Sequence, residues 1–223
     1  MDGTFAQSLE VALGALCPAC GMDVGWQPKM LPCEQCQQRS TFDGGGLRQL
    51  DQVRLCRGGQ YQGSLRQLIL RAKASPDSPA FRSLYKSFLR QVTAADVVPE
   101  WITVPPPSWR RRWQGWHLAE ELAQKLARDL GCNFQRLLRR RKHRPAQAGL
   151  GAHARRGNLL GAFDLLPGAQ RRLPPSLWIV DDVWTTGATF YECQRVLEKA
   201  GVHVHGALLL AQVDSLQEAG SLN

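Results

Sequence analysis

Residues Ile179–Thr189 read IVDDVWTTGAT, and this stretch decides the predicted fold. The preceding residues Leu177–Val180 are apolar without alternation, as a central parallel strand is when both of its faces are covered. We expect the strand to end at Asp181-Asp182 and a helix to begin within Thr185–Thr189. Open α/β sheets bind ligands in the crevice beyond the carboxyl ends of their strands. The stretch therefore predicts an α/β fold with a ligand site between a buried strand and a helix.

The residue types in this stretch fit a ribose 5-phosphate group of the phosphoribosyl diphosphate type. Asp181 and Asp182 can accept hydrogen bonds from the vicinal hydroxyls of a ribose. Downstream, Thr185, Thr186, Gly187, Ala188 and Thr189 offer hydroxyl donors, close backbone approach at the glycine and the free N–H groups of a helix N-terminus, which suit a phosphate. The alternative is that the acids cap a turn and the threonines merely begin a helix, since both residue types are common caps.

The segments on either side of this stretch complete an α/β pattern. Leu177–Val180 is followed by a predicted helix, Ala188–Ala200, that Gly201 closes, and then by a predicted strand, Val202–Ala211. A strand, a helix and a strand in succession indicate a parallel βαβ unit. Upstream, apolar spacing predicts further elements, whereas residues 139–175 look rich in loops. These elements are helices at Tyr61–Lys73, Pro79–Val92 and His117–Leu130, the last stopped by Gly131, and a strand at Trp101–Val104 that three prolines end.

The first 45 residues contain two cysteine pairs, Cys17/Cys20 and Cys33/Cys36, in the spacing C-x2-C-x12-C-x2-C. Two such pairs on short turns can converge on one tetrahedral Zn²⁺. The alternatives are four buried or disulfide-bonded cysteines, or a redox CxxC motif that leaves the second pair unexplained. We therefore predict a small zinc-ribbon module at residues 1–45 and a larger α/β domain at residues 46–223, with the glycines at 44–46 as a hinge.

Composition narrows the partners and the location. The chain of 223 residues carries a formal charge of +9, which favours polyanionic partners such as nucleotides, sugar phosphates and nucleic acid. Part of the excess positive charge lies in the basic run Arg136–Arg144. This run fits an anion-binding role or, as the alternative, a solvated loop or face. No stretch approaches the roughly 20 apolar residues of a membrane span, so we expect no membrane insertion. The beginning of the chain is a poor secretory signal, and the cysteine pattern favours a reduced, cytoplasmic location.

VDDVWTTGAT resembles the phosphoribosyl diphosphate loop of type I phosphoribosyltransferases, and the region from Tyr61 to Gln212 resembles one branch of them, the ComF-type competence proteins. The similar features run in the family's order along the chain. They are Tyr61-x-Gly63, Lys73, Val104-Pro105, Trp109, Arg112, Gly115-Trp116, Arg141, Gln147, Arg155, Asn158 and Gly161-Ala162-Phe163. One segment departs from the family pattern Arg-x-Arg-Gly-Phe-Asn-Gln, since Arg112–Leu118 reads RWQGWHL.

The resemblance implies a type I phosphoribosyltransferase fold, with a five-stranded parallel sheet flanked by helices. It implies that Asp181 and Asp182 hold the ribose and serve catalysis, and that the turn after Val104 holds the diphosphate. It adds Lys73, Arg112 and Arg155 to the substrate-binding residues, and it implies Mg²⁺ on the diphosphate, which suits a cation that binds substrate phosphates. The Arg/Gly-rich residues 139–160 would match the loop that closes over the reacting centre. His117 is a candidate general acid or base, although we expect it to be a surface residue at the start of a helix.

Three functions of different classes fit these features. The first is an enzyme that transfers a phosphoribosyl group to an unknown acceptor. The second is a non-enzymatic protein of DNA uptake that binds single-stranded DNA through Arg136–Arg144 and through Trp109–Trp113, where two tryptophans bracket three arginines. The third is a scaffold for other competence proteins. The resemblance implies a role in natural competence in each case.

Overall fold

The computed structural model describes residues 16–23, 32–38, 45–75, 78–107, 116–141 and 159–213. Arg112, Arg155 and the segment Trp109–Trp113 lie outside these residues, as does most of the predicted 1–45 module.

The described residues form alternating strands and helices. The first half contains helix α1 (Glu34–Gln38), strands β1 (Gly46–Leu50) and β2 (Val53–Arg57), helices α2 (Gly63–Ala72) and α3 (Pro79–Ala94), strand β3 (Trp101–Thr103), helix α4 (Leu118–Leu130) and strand β4 (Asn133–Phe134). The second half contains strands β5 (Leu138–Arg140) and β6 (Phe163–Leu165), a 3-10 helix (Ala169–Arg172), strand β7 (Ser176–Trp184), helix α5 (Ala188–Lys199) and strand β8 (His203–Gln212). Every helix and strand that the sequence predicted is confirmed, within a few residues at each end.

Six strands form the central sheet, in the order β1-β2-β8-β7-β3-β4. The five strands from β2 to β4 run parallel, and β7, α5 and β8 form the predicted parallel βαβ unit. The predicted α/β class with a parallel sheet flanked by helices is thus confirmed. The expected five strands become six, because β1 adds an antiparallel edge strand to β2. A two-residue turn joins them, and its Asp51 has φ of 51°, a conformation that a short polar side chain tolerates.

Strand β7 is longer than the sequence predicted. We expected it to end at Asp181, but it continues to Trp184, and its residues Asp181, Val183 and Trp184 pair with β8. The apolar run stops at Val180, but the hydrogen-bonding partner does not, because β8 extends to Gln212. The two acids therefore lie in the last part of β7 and not in the loop that follows it.

Two hydrophobic cores lie on opposite faces of the sheet. Alternate residues of β7 point to opposite cores: Trp178 and Val180 to one, Leu177 and Ile179 to the other. The first core is covered by α2, α3 and α4, and the second by α5 and the β5–β6 hairpin. Since both faces are covered, β7 is apolar at every position from Leu177 to Val180.

The helices begin and end where their sequences favour it. Ser78 caps α3 by accepting a hydrogen bond from the amide of Phe81 (3.1 Å), and Pro79 occupies the first turn, where its missing N–H is harmless. Gly131 ends α4 in the left-handed conformation, with φ of 68°.

Part of the region that we expected to be loops is a β-hairpin. Strand β5 pairs antiparallel with β6, and Leu137, Leu138 and Phe163 are buried in the second core. Three-residue strands leave too little alternation to be recognised in a segment so rich in arginine and glycine. Residues 142–158, between the two strands, lie outside the described part.

Among the described residues, none of the helices combines the length and the apolar character needed to cross a membrane.

Candidate functional site

Two adjoining cavities lie at the carboxyl edge of the sheet. Strands β2, β8, β7 and β3 are parallel, so the segments that follow them meet at this edge. The cavities measure about 320 Å³ and 360 Å³ and share four lining residues of one segment, Asp181, Val183, Thr185 and Thr189. Together they form one cleft that is large enough for a sugar with phosphate groups at both ends.

The first cavity is built around the turn between β7 and α5. All five residues Thr185–Thr189 line it, and α5 begins at Ala188 with its N-terminal amides at the cavity. Gly187 has φ of 74°, and a Cβ atom there would lie 2.5 Å from Cζ2 of Trp184. Only glycine fits this position, because both the backbone angle and the buried Trp184 ring exclude a side chain. The turn thus offers hydroxyls, amides and the positive end of a helix dipole to an anion.

The two acids differ in their surroundings. Asp182 is buried, and its Oδ2 lies 2.9 Å from Nζ of Lys73, which follows the last residue of α2. The other oxygen of Asp182 accepts a hydrogen bond from the amide of Val183 (2.8 Å). Asp181 is half-buried, lines both cavities and accepts a hydrogen bond from the amide of Asp182 (2.8 Å). Asp181 is therefore the more accessible carboxylate, and Asp182 is held in place by a cation from another element.

The second cavity combines apolar walls with positive side chains. Tyr61 and the three prolines at positions 105–107 form walls, and Lys73 and Arg140 contribute positive charge. His117 also lines it and is 9% exposed. The expectation of a surface histidine at a helix start is wrong, because α4 begins against the sheet and its first turn packs into the first core.

The structure brings most of the predicted site residues together. Asp181, Asp182, Thr185–Thr189 and Lys73 line the cleft, whereas Arg112 and Arg155 lie outside the described residues. Lining residues that were not named one by one as site residues include Tyr61, Pro105–Pro107, Arg140 and Leu159, although the turn after Val104 and the segment 139–160 were predicted to border the site. The resemblance had singled out Tyr61 and Pro105, and Arg140 stood in the basic run, but which of several arginines faces the cleft depends on the β5–β6 hairpin.

The four cysteines of the predicted metal module converge. Their sulfur atoms all lie within 4.8 Å of one another, and the sulfurs of Cys20 and Cys33 are 3.8 Å apart. Two thiolates bound at about 2.3 Å to one tetrahedral zinc are also about 3.8 Å apart. The donor set and its spacing therefore fit a tetrahedral, sulfur-ligated metal ion.

Backbone amides already surround one of these sulfurs. The amides of Ala19, Cys20 and Cys33 donate to Sγ of Cys17. Burial by itself raises the pKa of Cys17, but these amide donors bring it down to about 6. At Cys36, burial and the neighbouring thiols raise the pKa to about 12. A bound cation would hold all four sulfurs as thiolates, which is the form that ligates a metal.

The cysteine cluster packs against α2. Cys17 and Cys36 belong to the same hydrophobic core as Leu65 and Leu68 of that helix. The guanidinium of Arg71 donates to the carbonyl oxygen of Cys17 (3.4 Å). Because Tyr61 and Lys73 flank α2 and line the second cavity, the helix that supports the cysteine cluster also supports the cleft.

Comparison with known proteins gives two groups of similar chains. Competence protein F of Haemophilus influenzae is 31% identical over 206 residues, which cover 87% of this chain and 89% of that protein. DNA utilization protein YhgH of Salmonella typhi is 31% identical over 197 residues, covering 84% of this chain and 79% of that protein. No family model matches the sequence.

The similar solved structures include two phosphoribosyltransferases. An adenine phosphoribosyltransferase superposes with a TM-score of 0.43 at 19% identity, covering 69% of this chain and 81% of that one. The orotate phosphoribosyltransferase of Aeropyrum pernix gives a TM-score of 0.37 at 19% identity, covering 68% of this chain and 66% of that one.

Proposed function

The chain belongs to the family of competence protein F and DNA utilization protein YhgH, and we propose that it binds phosphoribosyl diphosphate, or a related ribose 5-phosphate, at the carboxyl edge of its sheet. The observation that carries the proposal is a pair of adjacent carboxylates where two cavities adjoin, with Asp181 lining both cavities and Asp182 lining the second. By the names of its relatives, we further propose that the protein acts in competence and DNA use.

The first cavity is the proposed site of the 5-phosphate. A phosphate there would meet the amides at the start of α5 and the hydroxyls of Thr185, Thr186 and Thr189. Among the residues that the structure describes, Asp181 is the only acidic one that lines this cavity. Electrostatic repulsion of the phosphate is therefore confined to the edge where the ribose would lie.

The acids between the cavities are the proposed ribose site. Asp181 lines both cavities and can accept hydrogen bonds from two neighbouring hydroxyls. Asp182 would assist at the same place, with its carboxylate oriented by Lys73. If the protein transfers the phosphoribosyl group, these two carboxylates are the catalytic candidates, because they lie closest to where positive charge develops on the ribose.

The second cavity is the proposed diphosphate site. Prolines have no N–H, so the turn at 105–107 offers no amide donors to a diphosphate. Lys73 and Arg140 would supply the donors in its place, from α2 and from the hairpin. Mg²⁺ would accompany the diphosphate and neutralise part of its charge. We place Arg112 and Arg155 in the same role from the resemblance alone.

The cysteine cluster is the proposed site of a structural zinc ion. Four sulfur ligands leave no open coordination position, so the metal would stabilise the fold and would take no part in catalysis. We propose a cytoplasmic location on the same ground, since paired thiolate ligands suit a reducing compartment.

A second candidate function is the binding of single-stranded DNA; the YhgH relatives are named DNA utilization proteins, and the basic run Arg136–Arg144 is the feature of this chain that bears on it. The basic run gives it limited support. Arg136 pairs with Glu120, and Arg141 makes two hydrogen bonds of 2.8 Å to Asp164. Among the described residues of the run, most of the charge is thus engaged within the protein, and Arg140 faces the cleft.

Calorimetric titration of phosphoribosyl diphosphate with Mg²⁺ tests the proposal. We expect binding in the micromolar range that the double variant Asp181→Asn/Asp182→Asn abolishes. Asp129→Asn is the matched control, because Asp129 lies at the end of α4, bonds to Tyr85 and does not line the cleft. Absence of heat in the folded wild-type protein would refute the sugar-phosphate site. Salt-dependent binding of single-stranded DNA that the double variant leaves unchanged would then favour the second candidate.

A further inference from the structure

A buried carboxylate lies on α5, one helical turn after the turn Thr185–Thr189, which we call the phosphate turn after its proposed ligand. Glu192 is 3% exposed and comes three residues after Thr189, which lines both cavities. Its Oε1 accepts a hydrogen bond of 2.7 Å from the amide of Gly161, and the nearby amide of Phe163 also helps to lower the pKa of the carboxyl group. Arg195 makes two further hydrogen bonds to it, each 2.8 Å long. A single side chain thus connects α5 to the segment that leads into β6.

That segment contributes Leu159 to the wall of the first cavity. Leu159 lines the cavity, and its carbonyl accepts a hydrogen bond of 2.9 Å from the amide of Ala162. Between them, Gly161 has φ of 74°, and a Cβ atom there would meet nothing within 4 Å. The glycine is therefore required for the backbone angle and not for space. The angle directs the amide that donates to Glu192.

A carboxylate suits this position because the groups that bond to it, the amide of Gly161 and the guanidinium of Arg195, are donors. Ionised Glu offers only acceptors, whereas the amide nitrogen of a glutamine would face another N–H. Burial by itself raises the pKa of Glu192, but Arg195 and the two amides hold it below its ordinary value. The charge is thus stabilised inside the protein, and Arg195 compensates it close to a cavity that would receive an anion.

We infer that Glu192 is a positioning residue that fixes the wall Leu159–Phe163 against the helix of the phosphate turn, and so sets the shape of the phosphate cavity. The nature of the ligand in this inference rests on the proposed function. The geometric part, that one carboxylate holds the wall in place, does not depend on any ligand.

Amide hydrogen exchange tests the geometric part. The variants are Glu192→Ala and, as the control, Cys193→Ala, since Cys193 is the next residue of α5 and is fully buried, and none of the hydrogen bonds among the described residues joins its side chain to the amides of residues 159–163. We expect Glu192→Ala to lower the protection of residues 159–163 at least tenfold while β7 keeps its protection. Cys193→Ala should leave residues 159–163 protected relative to β7. An even loss of protection across the wall and β7 in Glu192→Ala would overturn the inference.

Calorimetry with ribose 5-phosphate tests the effect on the cavity. We expect Glu192→Ala to bind at least fivefold more weakly than wild type, Glu192→Gln to recover part of the affinity, and Cys193→Ala to bind as wild type does. Equal losses in Glu192→Ala and Cys193→Ala would show that Glu192 only stabilises the fold, which overturns the inference. If the wild-type protein binds neither ribose 5-phosphate nor phosphoribosyl diphosphate, the proposed function fails, and the exchange pattern alone then supports or overturns the positioning role.

Discussion

Gly187 and Gly201 flank the same helix, α5, and both have positive φ, 74° and 86°. They differ in what surrounds them. A Cβ atom on Gly187 would lie 2.5 Å from the Trp184 ring, whereas one on Gly201 would meet nothing within 4 Å. The two positions therefore separate the cost of a left-handed backbone from the cost of crowding.

We expect Gly201→Ala to lower the free energy of unfolding by about 1–2 kcal/mol, which is the cost of a side chain in the left-handed region. Gly187→Ala should lower it by about 1–3 kcal/mol more, because the Trp184 ring must also move. Urea unfolding of both variants measures the difference. Equal losses of unfolding free energy in the two variants would mean that the turn between β7 and α5 can shift away from the Trp184 ring at no cost. That result would contradict the close contact between Gly187 and Trp184.

The ion pair between Lys73 and Asp182 connects two elements at the cleft. Lys73→Met should lower the free energy of unfolding by about 1–3 kcal/mol, because it removes a charged donor from a buried carboxylate. The double variant Lys73→Met/Asp182→Asn should lose less than the sum of the two single variants. Urea unfolding gives the four values of the cycle.

The exposed pair of Lys125 and Asp129, at 3.7 Å, is the control for this cycle. Lys125→Met should lower the free energy of unfolding by less than about 1 kcal/mol, as is usual for exposed pairs. Additive effects of the Lys73 and Asp182 variants would show that the two groups do not stabilise each other.

At the scale of elements, α2 is the structural link between the cysteine cluster and the cleft. Its Leu65 and Leu68 pack in one core with Cys17 and Cys36, and Lys73 at its end reaches Asp182. We therefore expect a change in the cluster to alter the packing of a helix that borders the second cavity.

We expect one zinc ion per chain, and we expect its removal by a chelator to lower the Tm by more than about 5 °C. A loss of 1 kcal/mol corresponds to roughly 2–4 °C for a chain of this size, and a structural zinc contributes more than that. Cys36→Ser should lose the zinc, whereas Cys132→Ser, outside the cluster, should keep it. A colorimetric zinc assay and thermal unfolding measure both effects, and a metal-free wild type of unchanged Tm would contradict a structural role.

At the scale of the whole molecule, a ligand that binds only the folded state stabilises the entire chain. At a concentration 100 times its Kd, phosphoribosyl diphosphate should add about 2.7 kcal/mol to the free energy of unfolding. This corresponds to a rise in Tm of roughly 5–10 °C.

Thermal unfolding with and without the ligand and Mg²⁺ measures this rise. The Asp181→Asn/Asp182→Asn variant should show no shift, and Asp129→Asn should shift as wild type does. A shift of equal size in all three proteins would place the binding outside the acidic part of the cleft.

The parts of the fold that depend on local pattern were predictable from the sequence. The unbroken apolar run Leu177–Val180 predicted a doubly covered strand, and the spacing of leucines in Leu118–Leu130 predicted an amphipathic helix. The pairing of two CxxC motifs likewise predicted a cluster that the structure brings together. Each of these signals is contained in a few consecutive residues, because side-chain period and short turns are local properties.

Other features were decided only by contacts between distant segments. The end of β7 depends on β8, which supplies pairing partners as far as Gln212, and the burial of His117 depends on where α4 meets the sheet. The orientation of Arg140 into the cleft depends on the β5–β6 hairpin, and the role of Glu192 depends on a segment about 30 residues upstream along the chain. The sequence by itself therefore determined the elements and the residue types of the turn between β7 and α5, whereas tertiary structure decided which charged groups surround it, because burial and pairing between distant residues are properties of the packed chain.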